Sequence, residues 1–196
     1  KPKILIQIDG DAHASVFDAV VAIDAGVDQL LQYGGVMTDQ IRALVHGAIF
    51  TRGVPDLCNT AIFIGGSDVA VGEAQRDAVL SSFFGPMRVS VMLDANGANT
   101  TAAAAIHLAR RHVELAGATA TVLAGTGPVG QRAARLLARA GAHVRVASRR
   151  LDRARATCQE IQRAVESARV EPCATGTPDE TAQAIEAAQR CLAIEP

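Results

Sequence analysis

The stretch "VLAGTGPVG", residues 122–130, decides how this chain is read. It fills the pattern G-x-G-x-x-G with Gly125, Gly127 and Gly130, directly after a short apolar run, "ATVLA" (120–124). Each glycine has its own physical task in such a turn. Gly125 permits the tight bend, Gly127 lets a pyrophosphate approach the backbone, and Gly130 lets the following helix pack closely on the strand. Pro128 suits a first helical turn, where its missing N–H is not needed. Gly125, Thr126, Gly127, Pro128, Val129 and Gly130 therefore form a candidate phosphate cradle, its free amides and the positive end of the helix facing the ligand. Three glycines alone also describe a turn that binds nothing. The strand before them, the amphipathic helix after them and the second strand beyond, "HVRVA" (143–147), supply the context of a dinucleotide site.

The end of that second strand bears on which dinucleotide. An acid there would hold the ribose hydroxyls of NAD. The sequence instead reads "ASRRLDRAR" (147–155), with Ser148, Arg149 and Arg150 in the acid's place. An arginine grips a phosphate through two parallel hydrogen bonds and a serine adds a third. The reading is NADP. NAD stays open through the nearby Asp152, and the arginines could also be a solvated helix start.

Outward from this turn the chain alternates strands and helices. Strands are expected at 4–8, 27–33, 48–51, 61–66, 88–94, 120–124, 143–147, "RVEPC" (169–173) and "CLAI" (191–194). Helices are expected from Ser15 to Gly26, from Thr38 to Gly47, from Ser67 to about Leu80, over 100–116, from Pro128 to Gly141, from Leu151 and from Pro178. Arg132, Arg135 and Arg139 are expected on a solvated face of the helix from Pro128. This order predicts an α/β protein with parallel sheets. It divides into an N-terminal α/β domain at 1–99, a linking helix at 100–117, and a Rossmann-type dinucleotide-binding domain at 118–196. The 196 residues are 49% hydrophobic with no Trp, so the cores are built of Ala, Val, Ile and Leu. A formal net charge of −1 gives no reason to expect nucleic acid or an anionic membrane as partner. No apolar run is long enough for a bilayer and no signal-peptide pattern opens the chain, so a cytoplasmic location is expected. Cys58, Cys158, Cys173 and Cys191 share no metal or redox spacing and the histidines are scattered, so reduced thiols and no metal are expected.

Several segments carry more than periodicity: "QIDGDAHASVFDAVVAIDAG", "GAIFTRG", "TAIFIGGSDVAVGE" and "FFGPMRVSVMLDANGANTTAAAA". In this order, and with "LAGTGPVGQRAARLLA", they resemble the bacterial NAD(P)-dependent methylenetetrahydromethanopterin dehydrogenases of one-carbon metabolism, from residue 4 to about 157. The resemblance implies two α/β domains with the active cleft between them, and a homo-oligomer with a trimer as the expected state. It implies hydride transfer from the methylene bridge of a reduced pterin to NADP. Two flanking nitrogens stabilise the methenyl cation, so the chemistry needs alignment and exclusion of water more than a protein base. No catalytic side chain is nominated.

Pterin rings offer donors and acceptors that suit carboxylates and amides. Phe17 and Asp18 are candidates for a ring face and an acceptor. Asp94, Asn96, Asn99, Thr100 and Thr101 follow a strand and open a helix, where open α/β sheets place ligands. Against these stand plain N-capping for Asn99 and Thr100, core packing for Phe17 and a solvated helix acid for Asp18. Asp9 and Asp11 are read equally well as turn residues, and Arg52 as a strand-end cation. Members of the resembled family continue beyond the point where "CLAIEP" stands here, so the dinucleotide domain is expected to be incomplete. The same chemistry on tetrahydrofolate, and a non-catalytic NADP-binding module, remain the alternatives.

Overall fold

The alternation of apolar runs and amphipathic stretches resolves into two parallel sheets in a computed structural model, which describes residues 1–188 and, as backbone, 190–192. The chain divides into two compact units after Gly97. In the first unit, β1 (Ile4–Ile8) pairs in parallel with β2 (Gln29–Tyr33) on one side and β3 (Thr60–Ile64) on the other, and β4 (Ser90–Leu93) extends the sheet beyond β3. The order β2-β1-β3-β4 reverses direction between β1 and β3, and such a reversal opens a crevice beyond the carboxyl ends of those strands.

The helices of this unit are α1 (Val16–Asp24), α2 (Ile41–Phe50) and α3 (Val69–Ser81). Ser15 caps α1 as expected, its hydroxyl accepting from the amide of Asp18, and Gly26 follows it with φ +88°. α3 is capped by Asp68 rather than Ser67, its carboxylate accepting from the amides of Ala70 and Val71. The strand expected at 48–51 is the last part of α2. Ile41, Val45, Ala48 and Ile49 are all buried, a three-to-four-residue spacing that fits one helix face and not a strand. Gly47 lies inside that helix and does not end it. Ile6, Ile8, Ile62 and Ile64 meet Ile41, Val45, Ile49 and Val79 in the core.

The second unit begins with α4 (Ala98–Ala109), shorter than the helix expected over 100–116. It then orders its strands β7-β6-β5-β8, all parallel: β5 (Thr119–Val122), β6 (His143–Ser148), β7 (Arg169–Ala174) and β8 (Arg190–Leu192). Of the strand expected at 191–194, residues 193–194 lie outside the described residues. α5 (Pro128–Arg139), α6 (Leu151–Ala164) and α7 (Pro178–Glu186) connect the strands. α7 opens with a full capping box, Thr177 and Glu180 each bonding the other's backbone amide. Val122, Val144 and Val146 pack with Ala133, Leu137, Ala154 and Ile161, joined by Ala102 and Ile106 of α4. This is the dinucleotide-binding arrangement of strands, with the glycine turn between β5 and α5.

That turn contains a strain invisible in the sequence. Ala124, immediately before Gly125, has φ +50°, the left-handed region where a β-carbon crowds the following carbonyl at a cost of roughly 1–2 kcal/mol. Replacement by glycine removes the strain and enlarges the freedom of the unfolded chain, which offsets part of the gain. Ala124→Gly is expected to stabilise by about 0.5–1 kcal/mol, read as a higher urea midpoint by circular dichroism. A lower midpoint would show that the turn is not held in this conformation.

Candidate functional site

The glycine turn is fixed by contacts of backbone on backbone. The Gly125 amide donates to the Ala147 carbonyl at 2.8 Å, tying the turn to the end of β6, and the Gly127 amide donates to Ala124 at 3.0 Å. A β-carbon at Gly125 would stand 2.8 Å from the Val122 carbonyl oxygen, and one at Gly130 would run into the carbonyl oxygen of Ala124 and the α-carbon of Gly125. Gly130 is thus required for α5 to start where it does. Gly127 is the extended residue before α5, and no side chain caps that helix. Its first amides are left for a ligand, the condition for anion binding at a helix start.

Beside the turn lies a cleft of about 450 Å³ lined by Ala124, Thr126, Gly127, Ser148, Arg149, Arg150, Arg153 and Thr175. It collects the carboxyl ends of three adjacent strands, β5, β6 and β7. Thr126 and Ser148 face each other with their hydroxyls 3.2 Å apart. Ser148, buried, also accepts from the amide of Arg150 at 3.2 Å.

The two sequence-nominated arginines separate here. Arg150 is engaged with Asp152, Nη2 to carboxylate 2.6 Å. The pair holds the Asp152 carboxyl below its ordinary range, the Arg150 hydrogen bond being the main cause. Arg149 lines the cleft without an acid partner among the described residues. Arg153 lines it too and was not nominated from sequence. It stands on the first turn of α6, two residues after that helix begins. Thr175 enters because β7 lies next to β6, a neighbour relation that no local pattern carries.

In the first unit the crevice between β1 and β3 holds a group of acids. Asp9, directly after β1 and 1% exposed, accepts from the amides of Asp11 (2.8 Å) and Ser15 (3.1 Å) and so anchors the start of α1. Asp11 accepts from both the amide and the hydroxyl of Ser67 at 2.9 Å. Gln7, buried in β1, donates to the Ser15 carbonyl. These bonds place Asp18 on the first turn of α1 over the Gly65–Gly66 bend, where a β-carbon on Gly65 would stand 3.1 Å from its carboxylate. Burial pushes the Asp18 carboxyl above its ordinary range. A hydrogen bond from Ser15 opposes this, and the charges of Asp9 and Asp94 add to the rise.

Phe17, next to Asp18, is 77% exposed and not in the core. Asp94 continues the β3–β4 ladder, its amide donating to Ile64. Asn96 is exposed at φ +54°, its amide on the Gly66 carbonyl at 2.7 Å, a conformation that asparagine tolerates better than most residues. Asp18, Asp94 and Asn96 therefore gather at one strand-end crevice. Asn99 and Thr100 belong to the second unit, on the first turn of α4. Asn99 accepts from Arg132 Nε at 2.7 Å, and Arg132 is buried, not on the solvated face expected for it. Arg52 donates to the carbonyls of Asn59 and Pro2, a structural role. Another cleft of the first unit, about 510 Å³ and lined in part by Arg42, His46, Ser81, Ser82 and Phe84, lies among α2, α3 and the loop after α3. Its two serine hydroxyls already donate to Ala78.

The family described as "Methylene-tetrahydromethanopterin dehydrogenase, N-terminal" matches residues 16–96. "Bifunctional protein MdtA" of Methylorubrum extorquens is 47% identical over 163 residues, 82% of this chain and 57% of that protein. Residues 16–96 thus resemble the N-terminal domain of methylene-tetrahydromethanopterin dehydrogenases. A second relative, the "NAD(P)-dependent methylenetetrahydromethanopterin dehydrogenase" of the same organism, is 34% identical over 136 residues, 66% of this chain and 46% of that protein. The chain thus spans about half the length of these relatives. Residues 119–188 match the family "NADP oxidoreductase coenzyme F420-dependent". Among solved structures, quinate dehydrogenase from Corynebacterium glutamicum in complex with NAD covers all of this chain and 71% of its own, at 14% identity and a TM-score of 0.55. At that identity the likeness is one of fold.

The acid crevice yields a measurement. A carboxyl whose folded-state pKa is raised costs stability when ionised, and the cost disappears as pH falls through that value. Asp18→Asn is expected to raise the thermal midpoint at pH 7. The gain should shrink as pH falls through the folded-state value and vanish below the unfolded value of about 3.9. A gain equally large in acid would show that charge at Asp18 is not its cause.

Proposed function

We propose that this protein transfers a hydride from the methylene bridge of methylene-tetrahydromethanopterin to NADP, giving the methenyl product. One observation carries the reading most: the uncapped glycine turn opens beside a cleft lined by Arg149 and Arg153, in a chain whose residues 16–96 match the N-terminal domain of these dehydrogenases. NADP, when bound, supplies the hydride acceptor. The amides at the start of α5 would hold its pyrophosphate. Arg149 and Arg153, with the Ser148 and Thr126 hydroxyls, would hold the added ribose phosphate, while Arg150 stays with Asp152. Hydride departure breaks one C–H bond and leaves a positive charge shared by two pterin nitrogens, so no side chain need take a proton. The carboxylates of Asp18 and Asp94 suit the donor edge of the pterin, Asn96 offers an amide, and Phe17 offers an exposed ring face. Asn99 and Thr100, on the first turn of α4, offer an amide and a hydroxyl for the same substrate.

The reading includes a homo-oligomer, a trimer. Its support is a surface that water disfavours: Val16, Phe17, Val20, Val21 and Ile23 of α1 are all more than half exposed, and α1 has no buried residue at all. Exposed apolar groups at this density mark a contact face. Light scattering on the purified protein should give a mass above the 20.4 kDa of one chain.

Turnover is read as absorbance of reduced nicotinamide on mixing the protein with NADP and methylene-tetrahydromethanopterin. A folded protein that binds NADP without turnover would leave a nucleotide-binding module, and faster turnover of methylene-tetrahydrofolate would reassign the substrate. Arg149→Glu is expected to weaken NADP by about a hundredfold, two lost charge-assisted bonds and a repulsion, and to change NAD by less than about threefold. Equal losses for the two dinucleotides would remove Arg149 from the ribose phosphate.

A further inference from the structure

Arg132 is a buried cation near the start of α5. It is 8% exposed, and a guanidinium so far from water is held by the groups it bonds. Among the bonds of its guanidinium, Nε donates to the Asn99 side-chain carbonyl at 2.7 Å, and Nη1 donates to the Pro128 carbonyl at 3.0 Å. Pro128 is the first residue of α5 and follows Gly127 of the phosphate turn. Asn99 is on the first turn of α4. One planar group therefore bridges the beginning of α4 and the beginning of the helix whose amides would meet the pyrophosphate.

We infer that Arg132 is a positioning residue for the dinucleotide, clasping the first turn of α5 to Asn99, and that Asn99 serves the cofactor through Arg132. This rests on the NADP reading above. A planar guanidinium holds two acceptors in fixed relative directions, which a lysine cannot do with its single ammonium. Release of the clasp leaves the glycine turn intact and lets the first turn of α5 swing, so the amides lose their common aim. The penalty falls on ligands that carry a pyrophosphate, and spares one held only at the ribose-phosphate cleft.

The test uses calorimetry on the wild type, Asn99→Ala, Arg132→Met and the double variant, with NADP, NAD and adenosine 2′-monophosphate as probes. Asn99→Ala and Arg132→Met are each expected to weaken NADP and NAD alike, by about tenfold. The double variant should bind no worse than the weaker single, and adenosine 2′-monophosphate should bind with unchanged affinity. Arg132→Lys should recover only part of the loss. Equal weakening of all three probes would make the effect a general structural fault and overturn the inference. So would losses that multiply in the double variant, or an Asn99→Ala protein that binds both dinucleotides normally. A second readout does not depend on any ligand: hydrogen exchange of the amides in the first two turns of α5 should quicken in Asn99→Ala. If the wild type binds no NADP, the NADP reading fails and exchange alone decides the clasp, with unchanged exchange overturning it.

Discussion

Between Gly130 on α5 and the backbone of Ala124 and Gly125 there is no room for a β-carbon, and the second unit is arranged around that contact. It sets the angle at which α5 leaves the turn and brings the Gly125 amide onto the Ala147 carbonyl, so that β6 ends beside the turn. Ser148, Arg149 and Arg153 can face the same cleft as Thr126 only because β6 ends there. A larger side chain at Gly130 would lift the helix, and the free amides would lose both their direction and their neighbours. The strained Ala124 belongs to the same constraint: the chain accepts a left-handed alanine to complete a bend that the packing of α5 demands.

The first unit solves a related problem with side chains. Its crevice lies where the strand order reverses between β1 and β3, and the turn after β1 is held by carboxylates. Asp9 and Asp11 are occupied by backbone amides and by Ser67. They build the wall of the crevice and leave Asp18 as the carboxyl whose ionisation the surroundings resist. A group of acids is easily taken for one functional feature. Here hydrogen bonding marks Asp9 and Asp11 as structural members, and burial sets Asp18 apart.

Arginines divide in the same way. Arg150 is committed to Asp152, Arg132 to Asn99 and Pro128, and Arg145 to Glu171 and the Ala184 carbonyl. Arg149 and Arg153 face the cleft. Residue type alone ranks these five cations equally for a phosphate. Their partners rank them, because a guanidinium already bonded to a carboxylate must give up that pairing before it can serve an anion.

The sequence by itself determined the class of fold, the glycine turn and nearly every strand, since each rests on a local pattern of a few residues: apolar runs for parallel strands, capping residues for helix starts, glycines where no side chain fits. It also determined the nomination of Ser148 and Arg149, which sit at fixed distances from that turn. It misled at 48–51, where an apolar run too short for its period to show belongs to the buried face of α2, and at 110–116, where alanine spacing continued past the end of α4. Tertiary structure alone decided which arginines face the cleft, that Thr175 joins them from the neighbouring strand, that Phe17 is exposed, and that Asn99 is held by a buried Arg132. Those outcomes depend on which elements lie side by side and which partner reaches a polar group first. Both are set by packing between residues far apart in the chain, and no window of sequence contains them.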